Sequence, residues 1–172
     1  MSSKEAQIFD EIRNNALFRI DENSRMIGIA LQNLEEDAIW QRPNENSNSI
    51  GNQILHLCGN ITQYIISSLG ESQDIRARNE EFSTTEGFSK IELLGKLLET
   101  TGKAKDIIAL STAEQLLRNR EVQGFNLTGI GIVIHVVEHY SYHTGQIAFW
   151  VKQLKNKSLG FYNDKDLTKK NK

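Results

Sequence analysis

The stretch 129-GIGIVIHVVEHYSYHTGQIAFWVKQLK-155 decides the fold. Its opening run of β-branched residues, Ile130, Ile132, Val133, Ile134, Val136 and Val137, suits a buried strand when read alone. The inward-type positions then continue through Val133, Val137, Tyr140, Thr144, Ile147, Val151 and Leu154 in steps of three and four. That run is far longer than a usual strand of about 5–6 residues. Thr128 can cap its N-terminus, and Lys152, Lys155 and Lys157 sit where cations favour a helix C-terminus. The reading is one long helix. It carries His135, His139 and His143, three of the chain's four histidines, and the four-residue spacing puts them on one face, one turn apart.

Upstream, three more amphipathic segments are expected. Ile8, Ile12, Ala16, Ile20, Ile27, Leu31 and Leu34 form one inward stripe of a helix over 4–34. A polar loop, 44–49, follows Trp40 and Pro43, and Asn48 or Ser49 can open a second helix that runs to about Leu69, with Ile50, Ile54, Leu57, Ile61, Ile65 and Leu69 inward. His56 lies beside that stripe, in line with Asn52, Gly59, Asn60 and Gln63. Gly70 suits the C-terminal cap, and the charged, aperiodic stretch 71–87 reads as a long connection. Ser89 and Glu92 form a capping box for a third helix, with Ile91, Leu94, Leu97, Leu98 and Ile107 or Ile108 inward. A short extra helix is expected over 111–118 and extended chain over 121–126. The fold class is therefore all-α, a four-helix bundle with a long connection between helices 2 and 3. That connection is long enough to span the bundle, so simple up-down-up-down order does not follow. Residues 1–160 are read as one domain and 161–172 as a frayed, lysine-rich tail.

The whole-chain numbers narrow the function. In 172 residues, Lys+Arg 20 against Asp+Glu 22 leave a net charge of −2, so no global field draws nucleic acid or anionic lipid. A small-molecule partner fits better. No apolar leader or membrane span is indicated, and the single cysteine, Cys58, agrees with a reducing compartment, so a cytoplasmic location is expected.

Four histidines concentrated on two helices point to a metal. Three imidazoles suffice for a divalent site with open positions. His135 and His143 are about 12 Å apart along the helix, too far to share one ion, whereas neighbours about 6 Å apart can do so. His56 must then join either His135 and His139 or His139 and His143.

HVVEHYSYHTGQI, preceded some eighty residues earlier by SIGNQILHLCGNI, resembles the two signature helices of the DinB/YfiT-like superfamily of metal-dependent four-helix bundles. The resemblance implies that His56, His139 and His143 are the ligands of a divalent ion such as Zn or Ni, that His135 stands outside them, and that the chain forms a homodimer. Phe149 and Trp150, adjacent and about 100° apart on the helix, lend the dimer weak support, because they cannot both face one core. The resemblance further implies either a thiol S-transferase, in which the ion activates a low-molecular-weight thiol such as bacillithiol or mycothiol as cofactor, or a hydrolase. A closed, non-enzymatic metal site or a metal-free structural dimer are the readings from other classes. Glu138 and Tyr142 are the base candidates, and neither has a motif behind it. Thiol transfer is favoured over hydrolysis, because a thiol bound to the ion ionises without a protein base.

Overall fold

The computed structural model describes residues 3–171. It contains helices α1 (Ser3–Gln32), α2 (Ile50–Ile61, continued as a π-helical segment Thr62–Leu69), α3 (Arg78–Ser83), α4 (Lys90–Leu110), α5 (Ala113–Leu117) and α6 (Gly129–Lys155). A short turn of 3₁₀ helix lies at Glu36–Ala38, and strands β1 (Asn119–Val122) and β2 (Phe125–Thr128) form an antiparallel hairpin ahead of α6. Its turn places Gln123 and Gly124 at φ 52 and 79, the left-handed pair that suits a two-residue hairpin loop.

Side-chain caps set the helix starts. Ser49 pairs with Asn52, Ser89 with Glu92 and Thr112 with Gln115 in reciprocal capping boxes, and Thr128 accepts from the Gly131 amide. The extended stretch is longer than 121–126 because both strands reach outward to Asn119 and Thr128.

Four long helices form the bundle. Asn60 lies against His135, His56 against His139 and Gln53 against His143, so α2 and α6 are antiparallel. Ser24 bonds Tyr140 and Glu35 pairs with Lys155, so α1 and α6 are parallel. Arg13 reaches the Ser111 carbonyl while Lys105 pairs with Asp21, so α1 and α4 are antiparallel. Gly70, at the end of α2, faces Ile107 near the end of α4, so these two helices run the same way. The order is up-down-down-up, and the connection after α2 travels back along the bundle before α4 starts.

The predicted stripe of α2 is buried at every position, from Ile50 to Leu69. In α4 the inward face differs from the predicted one. Leu93, Leu97, Thr101, Ala104 and Ile108 are buried, whereas Ile91 is 83% and Leu98 49% exposed. Two members of the true stripe are small or polar, so counting large apolar residues selects a face rotated away from it. Ile8 is 60% exposed as well. Arg13 of α1 already meets Ser111, just beyond the last residue of α4, so the first turns of α1 overshoot that neighbour. Beyond α6, Leu159 is buried and the Tyr162 ring lies under the Arg25 guanidinium, 5.5 Å from its centroid, so the chain after the last helix returns to α1.

Gly51 illustrates how tightly the start of α2 is packed. A Cβ there would stand 2.5 Å from the Trp40 ring, whose indole N–H donates to the Phe88 carbonyl at 3.2 Å. Gly51→Ala is expected to destabilise the protein by about 1–3 kcal/mol through this overpacking. Gly28→Ala, in α1 with nothing within 4 Å, is expected to be neutral or to stabilise by up to about 1 kcal/mol. Urea unfolding of the two variants checks the contrast.

Candidate metal centre

The antiparallel contact of α2 and α6 gathers His56, His139 and His143. One ring nitrogen from each lies within 4.8 Å of the others, and the Nε2 atoms of His56 and His139 are 3.1 Å apart. Of the two pairs left open by helix spacing alone, His139 and His143 are the ones in the cluster with His56. His135 lies one turn farther along α6. Its Nε2 is 3.4 Å from the Asn60 amide, and its ring stacks on Tyr64 at 4.2 Å between centroids. Its nearest link to the cluster is a 5.7 Å stack on the His139 ring.

What surrounds the cluster was not visible in the sequence. The connection that runs back along α2 brings Glu81, on α3, to His56, where the Nδ1–H donates to Oε2 at 2.9 Å. Arg76 clamps the same carboxylate with two bonds, Nε to Oε1 at 2.7 Å and Nη2 to Oε2 at 2.8 Å. Arg76 Nη1 donates to Gln63 at 2.9 Å, and Gln63 donates to Asp74 at 2.7 Å. Both side chains of the Arg76–Glu81 pair are over nine-tenths buried. Gly59 permits this approach, because a Cβ at that position would overlap the Glu81 carboxylate. On the other side, His143 Nδ1 faces Gln53 Oε1 at 3.3 Å. Both bonds hold Nδ1 as the protonated nitrogen and leave Nε2 with a free lone pair, the arrangement outer partners impose on ligating histidines.

Glu138, the base candidate from the sequence, is exposed and lines a groove against Arg19 and Asn23 of α1. Among the described residues, the carboxylate hydrogen-bonded to the cluster is Glu81. Tyr142 is 62% exposed with its ring 5.1 Å from that of His143, and the Phe82 ring stands 4.9 Å from His56. Each of these two aromatics borders one histidine of the cluster.

The residues present fit a divalent ion. Two nitrogens 3.1 Å apart suit joint ligation at about 2.1 Å each, and three imidazoles suit a borderline cation. His139 and His143 are also held neutral. Burial, with His143, His56 and His135 close by, lowers the His139 pKa to about 3, and burial with His56 lowers that of His143 to about 4. For Glu81, burial alone would raise the pKa, but the bonds from Arg76 and His56 outweigh it and the net shift is downward. Protons therefore compete little with a metal ion for His139 and His143 near neutral pH.

The depressed histidine pKa values set a pH dependence. Below the unfolded value of about 6.5, the unfolded chain takes up protons that native His139 and His143 refuse, so stability falls as pH falls toward the native values of about 4 and about 3. Above about 6.5 this contribution is fully present. The urea midpoint of metal-free protein is expected to drop between pH 7 and pH 5, above the carboxylate range, and His139→Gln is expected to flatten that drop.

Comparison with known proteins finds a family and structural likenesses. The model of a family described as a protein of unknown function, DUF1572, matches residues 8–162. The crystal structure of a DinB-like protein, YjoA, from Bacillus subtilis superposes with a TM-score of 0.66 at 20% identity, covering 86% of this chain and 96% of that one. No curated protein matches the sequence. The chain shares its fold with that DinB-like protein and belongs to the DUF1572 family.

Proposed function

We propose that His56, His139 and His143 hold one divalent metal ion through their Nε2 atoms, and that the site activates a small thiol for S-transfer to an electrophilic substrate. The convergence of three imidazoles is the observation that carries the metal. An ion so held keeps its full positive charge and lowers the pKa of a thiol or water beside it. The choice of thiol over water rests on the carboxylate at the cluster. Water as nucleophile more often needs a base to take its proton, and Glu81 is already engaged by His56 and by the Arg76 fork. A thiol with its lower pKa needs no such partner. Access is proposed beside the connection that follows α2, between Phe82 and Tyr142, with a cytoplasmic location. No helix among the described residues is long and apolar enough to cross a membrane.

Calorimetric titration of metal-free protein with Zn²⁺ or Ni²⁺ is expected to show one ion per chain. His139→Ala should abolish binding. Glu81→Ala, and Gly59→Ala through displacement of the same carboxylate, should weaken it by about 10–100-fold, as loss of an outer partner does. Metal-loaded protein should then consume a model electrophile with bacillithiol, glutathione or cysteine. Ester or amide hydrolysis without any thiol would select the hydrolase instead, and a fourth protein ligand on the ion would select a closed, non-enzymatic site.

A homodimer is part of the same proposal. The surface that supports it is a groove between α1 and α6, walled largely by Ile12, Ala16, Val133, Ile134 and Val137. Light scattering at micromolar concentration is expected to give twice the chain mass of 19.5 kDa.

A further inference from the structure

One end of the α2–α6 groove holds a cavity of about 450 Å³ that neither the core nor the histidine cluster accounts for. The loop after Pro43 forms its floor, and Gln53, Gln146, Phe149 and Trp150 form its helical walls. Three features of it point to a ligand.

Its lining contains no acid and no base, and amide side chains dominate it. Some of that hydrogen-bonding capacity is used internally. The Asn44 side-chain Oδ1 accepts from the Asn46 backbone N–H and the Ser47 hydroxyl at 3.0 Å each. The amides of Asn48 and Gln146 add further donors and acceptors to the wall. Aromatic surface is present as well. Phe149 is 63% exposed, and the indole N–H of Trp150 is buried without an acceptor. The adjacent aromatic pair that one helical core cannot absorb thus lines a single cavity. Finally, the cavity adjoins the cluster, because Gln53 both forms its wall and contacts His143.

We infer that this cavity binds an uncharged ring with hydrogen-bonding groups on its edge and apolar faces, the chemistry shared by a pyranose sugar and a neutral nucleobase. Ring faces stack on Phe149 and Trp150, while edge donors and acceptors pair with the amides. A charged group would surrender its hydration there without meeting a counter-charge. The inference rests on the proposed function only in making this ring the remote part of the substrate. Binding in the cavity itself requires no metal ion.

The test uses metal-free full-length protein and three probes: N-acetylglucosamine, uridine and glutathione, whose carboxylates find no base in the cavity. Calorimetry supplies the affinity. Fluorescence of the Trp40→Phe variant, which leaves Trp150 as the remaining one of two tryptophans, supplies the location. One neutral probe is expected to bind saturably and to change Trp150 emission, and Phe149→Ala is expected to weaken it about 10-fold through lost stacking. If Trp40→Phe fails to fold, calorimetry of the wild type and Phe149→Ala carries the comparison alone. The inference is overturned if neither neutral probe binds, if glutathione binds as tightly as the better one, or if Phe149→Ala leaves the affinity unchanged. Metal titration of the same preparations reports separately on the three histidines, so either result stands without the other.

Discussion

A carboxylate taken out of water must be neutralised where it stands, and Glu81 is such a carboxylate. Its partners are a guanidinium fork from Arg76 and the imidazole N–H of His56. Removing either partner leaves a buried charge short of compensation, so the three groups stand or fall together. They come from α2 and from the connection behind it, and this fixes the path of that connection along the bundle. It also fixes what α2 can present on that side. Glycine stands at position 59 where any side chain would collide with the carboxylate. The amide of Asn52 donates to the Glu81 and Thr84 carbonyls at 3.0 and 2.6 Å and ties the far end of the segment to the same helix.

The second constraint is antiparallel packing of two helices whose polar residues recur at helical spacing. Asn52, His56 and Asn60 repeat every four residues on α2, as His135, His139 and His143 do on α6. Brought together in opposite directions, the two rows make a polar seam inside a bundle whose remaining core is largely apolar. Gln53 borders one end of the seam, and Asn60 with Tyr64 borders the other. The π-helical stretch Thr62–Leu69 begins where this seam leaves α2, as local widenings of a helix often do near functional positions. It carries Tyr64 to the His135 ring and Gln63 to Arg76.

Much of this was legible in the sequence wherever the signal is carried inside one helix. The α6 span, the Ser89–Glu92 box, the buried stripe of α2 and the row of histidines all follow from spacings of three and four. Signals that cross space were silent. Glu81 lies 25 residues from His56, in a stretch with no periodicity, and nothing local distinguishes it from the other acids there. Gln53 is 90 residues from His143, and its role depends on the antiparallel register alone. The α4 face was misread for a different reason, since Thr101 and Ala104 occupy core positions without looking like core residues. Glu138 drew notice through adjacency to His139 in the chain, yet one position along a helix turns a side chain by about 100°.

His56 and His139 meet across 83 residues of chain, bringing together two halves of the molecule that the backbone joins only distantly. A ligand that grips both of them, and grips them only when the bundle is assembled, acts as a reversible cross-link closing a very long loop. By mass action, an ion at one hundred times its dissociation constant adds about 2.7 kcal/mol to the folded state. For a protein a few kcal/mol from unfolding, that difference changes steady-state abundance several-fold. The supply of metal would then govern how long the chain survives in the cell as well as whether its site is armed.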